Sequence, residues 1–138
     1  MTVSNNTEIV TRSFEGFESA DMDKFTSDWA PDIVFDVAGY EHWPLEQTAF
    51  HGAEEVVFVF GQFMSNVRSL EVDNLAVSAT GPDHVLALYD EIRREHGSDE
   101  PVCLKIGIVY ELRGGQFKHV WVFTDQERAK AFSREVSG

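Results

Sequence analysis

The chain has a single cysteine, Cys103, in 138 residues, which excludes an internal disulfide and any multi-cysteine metal site. A reducing cytoplasm is the compartment this fits, and the polar start MTVSNNTE lacks the basic-then-apolar order of a secretory signal. Positive charge is scarce as well: 11 lysines and arginines stand against 24 aspartates and glutamates, a formal charge of -13. A surface of that sign repels phosphate backbones and anionic lipid, so neither nucleic acid nor a membrane is an expected partner. The densest apolar run, Val56 to Phe60, falls far short of the roughly 18 residues that would suggest a membrane span. GxGxxG and GxxxxGK[ST] phosphate loops are missing, and His42, His51, His84, His96 and His119 show neither HxH nor HExxH spacing. No metal and no cofactor is therefore expected.

What is present is a succession of clear periodic patterns. Ile9, Val10, Phe14 and Phe17 recur at helical spacing and predict an amphipathic helix over Glu8–Ser19, preceded by a polar tail over residues 1–7. Asp21 is placed to cap a short second helix with Met22, Phe25 and Trp29 on one side, ended by Pro31. IVFDVAG, Ile33–Gly39, alternates as a strand whose apolar face is Ile33, Phe35 and Val37. A long connection follows, Tyr40–Gly52, carrying Tyr40, His42, Trp43, Phe50 and His51, and connections of that length inside a domain are often functional. From Ala53 to Val67 the residues Val56, Val57, Phe60, Phe63, Met64 and Val67 keep a 3.6 period, with Glu54 and Glu55 in the first turn where the helix dipole favours them.

Alternation then takes over. Leu70 and Val72 are out of phase with Leu75, Val77 and Ala79, which an extra residue at Asp73 or Asn74 explains as a bulge that bends the strand. After a Gly81-Pro82-Asp83 turn, His84–Arg94 reads as a strand with Leu86, Leu88, Asp90 and Ile92 on one face. Val102–Asp125 reads as two long strands joined at Arg113-Gly114-Gly115. The first presents Val102, Leu104, Ile106, Ile108, Tyr110 and Leu112 to the core. In the second, Phe117, His119, Trp121 and Phe123 oppose Lys118, Val120, Val122 and Thr124, and the pattern leaves open which row faces inward. Asp125 is placed to cap a short terminal helix with Ala129 and Phe132 as its apolar stripe.

Helices at the N-terminal end followed by long, mostly antiparallel strands define an α+β class: a single domain over residues 8–135, with a curved sheet covered by three helices and enclosing a cone. The aromatic and sulfur side chains Phe14, Phe17, Phe25, Trp29, Phe35, Phe60, Phe63 and Met64 are its expected core, and in a cone core residues double as cavity wall, which Trp43 of the loop is expected to join. The order of these elements, with the ADMDKF turn, the APDIVFD strand entry, the FHGAEEV helix entry and the GGQFKHVWVFTDQE close, resembles the SnoaL-like branch of the nuclear transport factor 2 (NTF2-like) superfamily over residues 8–132.

The resemblance implies a cone-shaped pocket for a small apolar or polycyclic molecule, with isomerase, cyclase or hydrolase chemistry in some members and pure binding or association in others. It also implies where acids would stand. Ketosteroid isomerases use an aspartate base, a tyrosine and a protonated aspartic acid, and those positions fall here on Val37 (beside Asp36), Ser13 and Ile108. The aspartate that cyclases and epoxide hydrolases keep on the last strand falls on Val122. None of the four matches. The same resemblance turns Val120, Val122 and Thr124 toward the pocket and leaves His119, Trp121 and Phe123 on the outer face, where relatives form a homodimer.

The remaining candidates for chemistry are Asp90, Tyr110 and the loop histidine His42. Asp90 shares a face with Leu86, Leu88 and Ile92, on the row the resemblance assigns to the pocket, so it is expected either to act there as acid or base or to pair with Arg94. Tyr110 lies in the inward row of its strand and offers a hydroxyl to a ligand or to nearby backbone. Asp36 belongs by alternation to the opposite face from Val37 unless a bulge turns it inward. Leu88 and Val122 complete the expected ligand wall. The two functions in view are an acid/base enzyme acting through Asp90 and a non-catalytic binding or dimeric association module.

Overall fold

The computed structural model describes residues 2–19, 21–41, 43 and 46–137, with only the backbone described for residues 2–5. Helix α1 runs Thr2–Glu18, so the stretch expected as a polar tail continues the helix. Its early turns are docked rather than free: Asn6, 7 % exposed, donates from Nδ2 to the Pro82 carbonyl at 3.1 Å. Helix α2, Met22–Thr26, is capped as expected, Asp21 accepting from the Lys24 amide at 3.1 Å. Strand β1 spans Trp29–Gly39 and takes in Trp29, which the periodicity had assigned to α2. Pro31, expected to end that helix, lies in β1 where the ladder to the last strand shifts register between Trp29 and Val34. A missing amide proton is tolerated there.

Inside the long connection a short strand, β2 (Ala49–His51), pairs antiparallel with β1. Helix α3, Ala53–Met64, stops three residues before the expected end because Val67 already opens β3, Val67–Ala79. The predicted bulge is present: the β3 ladder shifts between Asp73 and Ala76, and Asn74 adopts φ +56°. Strands β4 (His84–Glu95), β5 (Val102–Arg113) and β6 (Gln116–Phe123) follow, and Gly114 and Gly115, at φ +59° and +79°, make the tight turn between the last two. The six strands form one curved sheet in the order β2-β1-β6-β5-β4-β3, antiparallel except for the β1/β6 pair.

Helices α1, α2 and α3 cover the inner face of this sheet. The main core lies between, built on residues such as Val10, Phe14, Ile33, Val56, Ile106, Leu112 and Phe117. The terminal helix, α4 (Gln126–Ser137), capped by Asp125 as expected, lies on the outer face. There Ala129, Phe132 and Val136 meet Leu86, Leu88, Val109, Trp121 and Phe123 in a second apolar cluster. This helix gives the sheet two buried faces. It explains why Phe123, expected to stand bare on the outer face, is only 8 % exposed: Phe132 packs against it and against Trp121, with ring centroids 5.5 and 4.9 Å apart.

At Gly107 the sheet passes close under α4. A Cβ there would sit 2.4 Å from the Ala129 Cβ and 3.3 Å from a Leu88 methyl. Because the Ala129 Cβ is fixed to the helix backbone, no rotamer relieves the clash. Gly107→Ala is expected to destabilise the fold by about 1–3 kcal/mol through overpacking, read as a lower urea midpoint with an unchanged slope. An unchanged midpoint would show that α4 yields freely.

A candidate functional site in the aromatic cavity

The phase of β4 decides what the cavity contains. Its inward row is Val85, Ala87, Tyr89, Glu91 and Arg93, all buried, and not Leu86, Leu88, Asp90 and Ile92. Leu88, expected in the ligand wall, lies instead under α4. Asp90, expected as the acid or base, is on the outer face with its side chain 31 % exposed, where Lys105 lies 3.2 Å away and Asn74 donates to it at 2.8 Å. These two partners hold its carboxyl below the usual aspartate range, the opposite of a desolvated base. Alternation had identified an apolar row correctly but assigned it to the wrong face, because the row that α4 covers is as apolar as the one that faces the core.

Helices α1 to α3 and the inner face of the sheet enclose a cavity with about 80 Å³ of space open to the centre of a water molecule, room for several waters or a compact organic molecule. Twelve of its eighteen described lining residues are aromatic. Phe17, Trp29, Phe35, Trp43, Phe60, Phe63 and Val122 all line it, as expected, whereas Met64 does not. Phe60 meets its neighbours edge to face, standing at 84° to Phe35, 67° to Phe25 and 90° to Phe17. Trp43 stacks on Phe63 at 5.8 Å, and its indole donates to the Gln47 carbonyl at 3.1 Å. Ser13, Val37, Ile108 and Val122, the positions where the resemblance would put polar groups or acids, are all in the wall. Thr124 is not; its hydroxyl accepts from the Glu41 amide and faces the Gly39 carbonyl. His42 lies outside the described residues. Asp36 stays on the outer face, accepting from the Ala38 amide at 2.9 Å and lying near His119.

Among the described residues one carboxylate does reach the cavity wall, and it is Glu91, 4 % exposed. The Tyr89 hydroxyl donates to one of its oxygens at 3.4 Å and Arg93 Nη1 to the other at 3.3 Å. The same Nη1 donates to the Tyr40 hydroxyl at 2.8 Å, the Arg93 guanidinium lies 5.1 Å over the Phe63 ring, and Glu95 is 4.0 Å from Nε. Burial raises the Glu91 carboxyl above the ordinary glutamate value, with Arg93 and the Tyr89 hydrogen bond pulling the other way. Burial also opposes the Arg93 charge, yet Tyr40, Glu91 and Glu95 together hold it above its usual value. Tyr110 lines the cavity as expected, and burial pushes its phenol up; among the described residues its hydroxyl has no hydrogen-bond partner. The Tyr89 phenol is pushed well up too, by burial first and then by Glu91.

Sequence reasoning missed Glu91, Arg93, Tyr89 and the role of Tyr40. The available signal was a strand of twelve residues with apolar side chains on both faces, together with a terminal apolar stripe that needed a platform. Both point to a strand buried on two sides, in which an interior Glu and Arg become the notable residues. Among the described residues no group of three or more His, Cys, Asp or Glu is gathered as metal ligands, and no helix is long and apolar enough to cross a membrane.

This architecture has close counterparts among solved structures. A candidate polyketide cyclase of Xanthomonas campestris pv. campestris superposes with a TM-score of 0.74 at 21 % identity, covering 96 % of this chain and 99 % of that one. TerC, co-crystallised with polyporic acid, gives 0.76 at 13 % identity over 94 % and 98 % of the two chains. A ketosteroid isomerase-like protein from Catenulispora acidiphila, in complex with trimethylamine, gives 0.71 at 15 % identity over 84 % of each. At such identities the likeness speaks for the fold, which is NTF2-like, and not for activity. None of the curated proteins compared matches the sequence. The SnoaL-like domain family, however, matches residues 10–120, a span that takes in most of the inner helices, sheet and cavity wall, and the chain belongs to that family.

Proposed function

We propose that this protein binds a compact, largely apolar molecule in the aromatic cavity and that Glu91 is the group that exchanges a proton with it. The observation that carries this reading is the position of Glu91: a buried carboxylate in the wall of an otherwise aromatic chamber. A carboxylate raised by burial is a better base than an exposed one, and an apolar chamber strengthens every charge interaction within it. Two relatives in fold were crystallised with small molecules, TerC with polyporic acid and a ketosteroid isomerase-like protein with trimethylamine, which supports a ligand-binding reading. With a carbonyl compound bound, the Glu91 carboxylate would take a proton from the carbon beside the carbonyl, leave an enolate, and return the proton at another position. Tyr110, in the wall of the same chamber, would donate to the oxygen. This is isomerase or cyclase chemistry, moved from Asp90 to Glu91.

A second reading, binding without chemistry, is favoured by one specific feature: both Glu91 oxygens are already engaged, by Tyr89 and Arg93. One probe separates the two. 1-Tetralone is aromatic, neutral and carries exchangeable protons beside its carbonyl; Trp29 and Trp43 in the wall report its entry by fluorescence. Binding is expected to quench that signal, and Val122→Arg to abolish the quenching. In deuterated buffer the wild type is expected to speed exchange of those protons. Glu91→Gln is expected to lose about 100-fold or more of that rate, and Asp90→Asn, on the outer face, none. Quenching without exchange would establish the binding reading, and no quenching would remove both.

A further inference from the structure

The charge class of the ligand can be read from the same cavity, and this step rests on the reading that the cavity is a ligand site. We infer that it selects a small organic cation, an alkylammonium group, over a neutral molecule of the same shape and over an anion.

Three observations converge on this. The first is the wall itself. No lysine or arginine is among its described lining residues, and the one charged group that is, Glu91, is negative. The second is the charge balance directly behind the wall. Arg93 is shared between Glu91 and Glu95, at 3.3 and 4.0 Å, so one guanidinium faces two carboxylates and the cluster carries a net negative charge when all three are ionised. A cation entering the chamber loses its hydration, and the Glu91 carboxylate in the wall offsets part of that loss; an anion meets that carboxylate in the wall, while the nearby Arg93 guanidinium is already engaged by Glu91 and Tyr40. The third is the aromatic geometry. Phe25, Phe35 and Phe17 stand at steep angles to Phe60, and Trp29 lies 5.2 Å from Phe25 at 70°, so the wall presents ring planes in several orientations and not one continuous stack. Ring faces carry the negative lobe of the aromatic quadrupole and attract ammonium groups. The wall already performs this interaction once, with the Arg93 guanidinium 5.1 Å over the Phe63 ring.

The acidity of the whole chain acts in the same direction. A formal charge of -13 raises the local concentration of small cations near the surface and lowers that of anions. This contribution weakens with salt, whereas the preference created inside the cavity, shielded from solvent, persists.

Three molecules of one shape test the inference: choline, its uncharged counterpart 3,3-dimethylbutan-1-ol, and the anion 3,3-dimethylbutanoate, each titrated by tryptophan fluorescence against wild type and Glu91→Gln in 0.15 M salt. Choline is expected to bind at least about tenfold more tightly than the alcohol, and the butanoate most weakly. Glu91→Gln, its fold checked by circular dichroism, is expected to weaken choline far more than the alcohol and so to narrow the gap between them. Equal affinities, a preference for the alcohol or the butanoate, or a choline preference that Glu91→Gln leaves intact would overturn the inference. If 1-tetralone binds and none of the three does, the inference fails and the cavity reading stands. If 1-tetralone does not bind either, both fail.

Discussion

Arg93→Ala is expected to lower the unfolding free energy by about 3–5 kcal/mol at neutral pH, because it leaves the Glu91 carboxylate buried without its cationic partner. The side chains of Arg93 and Glu91 are only 10 % and 5 % exposed, so water offers little compensation for the lost pair. The Tyr40 hydroxyl also loses its 2.8 Å donor, and Phe63 the cation above its ring. The effect carries a pH signature. The folded Glu91 carboxyl is already raised above its ordinary value by burial, so it contributes stability that is fully present below the unfolded glutamate value and lost as pH rises through the folded one. Removing Arg93 raises it further. The gap between wild type and Arg93→Ala is therefore expected to shrink as the solution is acidified and Glu91 takes up a proton. Urea unfolding at several pH values checks both points. A loss below about 1 kcal/mol, or a gap that widens in acid, would mean that the pair is solvated and weak. Replacing Glu91 and Arg93 together by methionine is expected to recover most of the stability, since an apolar pair of similar volume avoids the desolvation altogether.

Phe117→Ala is expected to cost a comparable amount, about 3–5 kcal/mol, by the opposite route of removing apolar volume. Phe117 is 1 % exposed, lines the cavity and lies against Tyr110, with ring centroids 5.1 Å apart. Its position depends on a change of register: the β5/β6 ladder shifts between Glu111 and Leu112, so that Phe117, Val120 and Val122 all reach the cavity wall although simple alternation would separate the first from the others. Truncation joins the space of the ring to the cavity, so it enlarges the chamber as it destabilises the fold. The urea midpoint is expected to fall, and affinity for 1-tetralone to fall with it as wall contact is lost. A stability loss under about 1 kcal/mol would show that the neighbouring rings collapse into the gap.

The bulge in β3 shows how far local pattern can reach. The phase slip between Val72 and Leu75 is a local property of the chain, and one residue inserted at Asn74 is the economical way to keep both halves facing inward. The α3 stripe, the Asp21 and Asp125 caps and the Gly114-Gly115 turn are legible for the same reason: each depends on residues within one turn or one hairpin of each other. Most of the aromatic wall follows too, because large apolar side chains on amphipathic elements have only one interior to enter.

The site itself was not legible in this way. Pattern distinguishes two faces of a strand by polarity, and β4 has apolar residues on both. Whether Asp90 or Glu91 faces the cavity depends on which face α4 takes, and α4 lies more than thirty residues further along the chain. Ser13, Val37, Ile108 and Val122, the positions the resemblance singled out, all lie in the wall, but where it implied a tyrosine this chain has Ser13, and where it implied acids it has apolar residues. The sequence by itself determined the α+β class, the curved sheet, the aromatic interior and the family. Only the tertiary structure decided that the interior carboxylate is Glu91, held by Tyr89 and Arg93, because a residue's polarity is a local property and the face it points to is set by what packs against its strand from elsewhere.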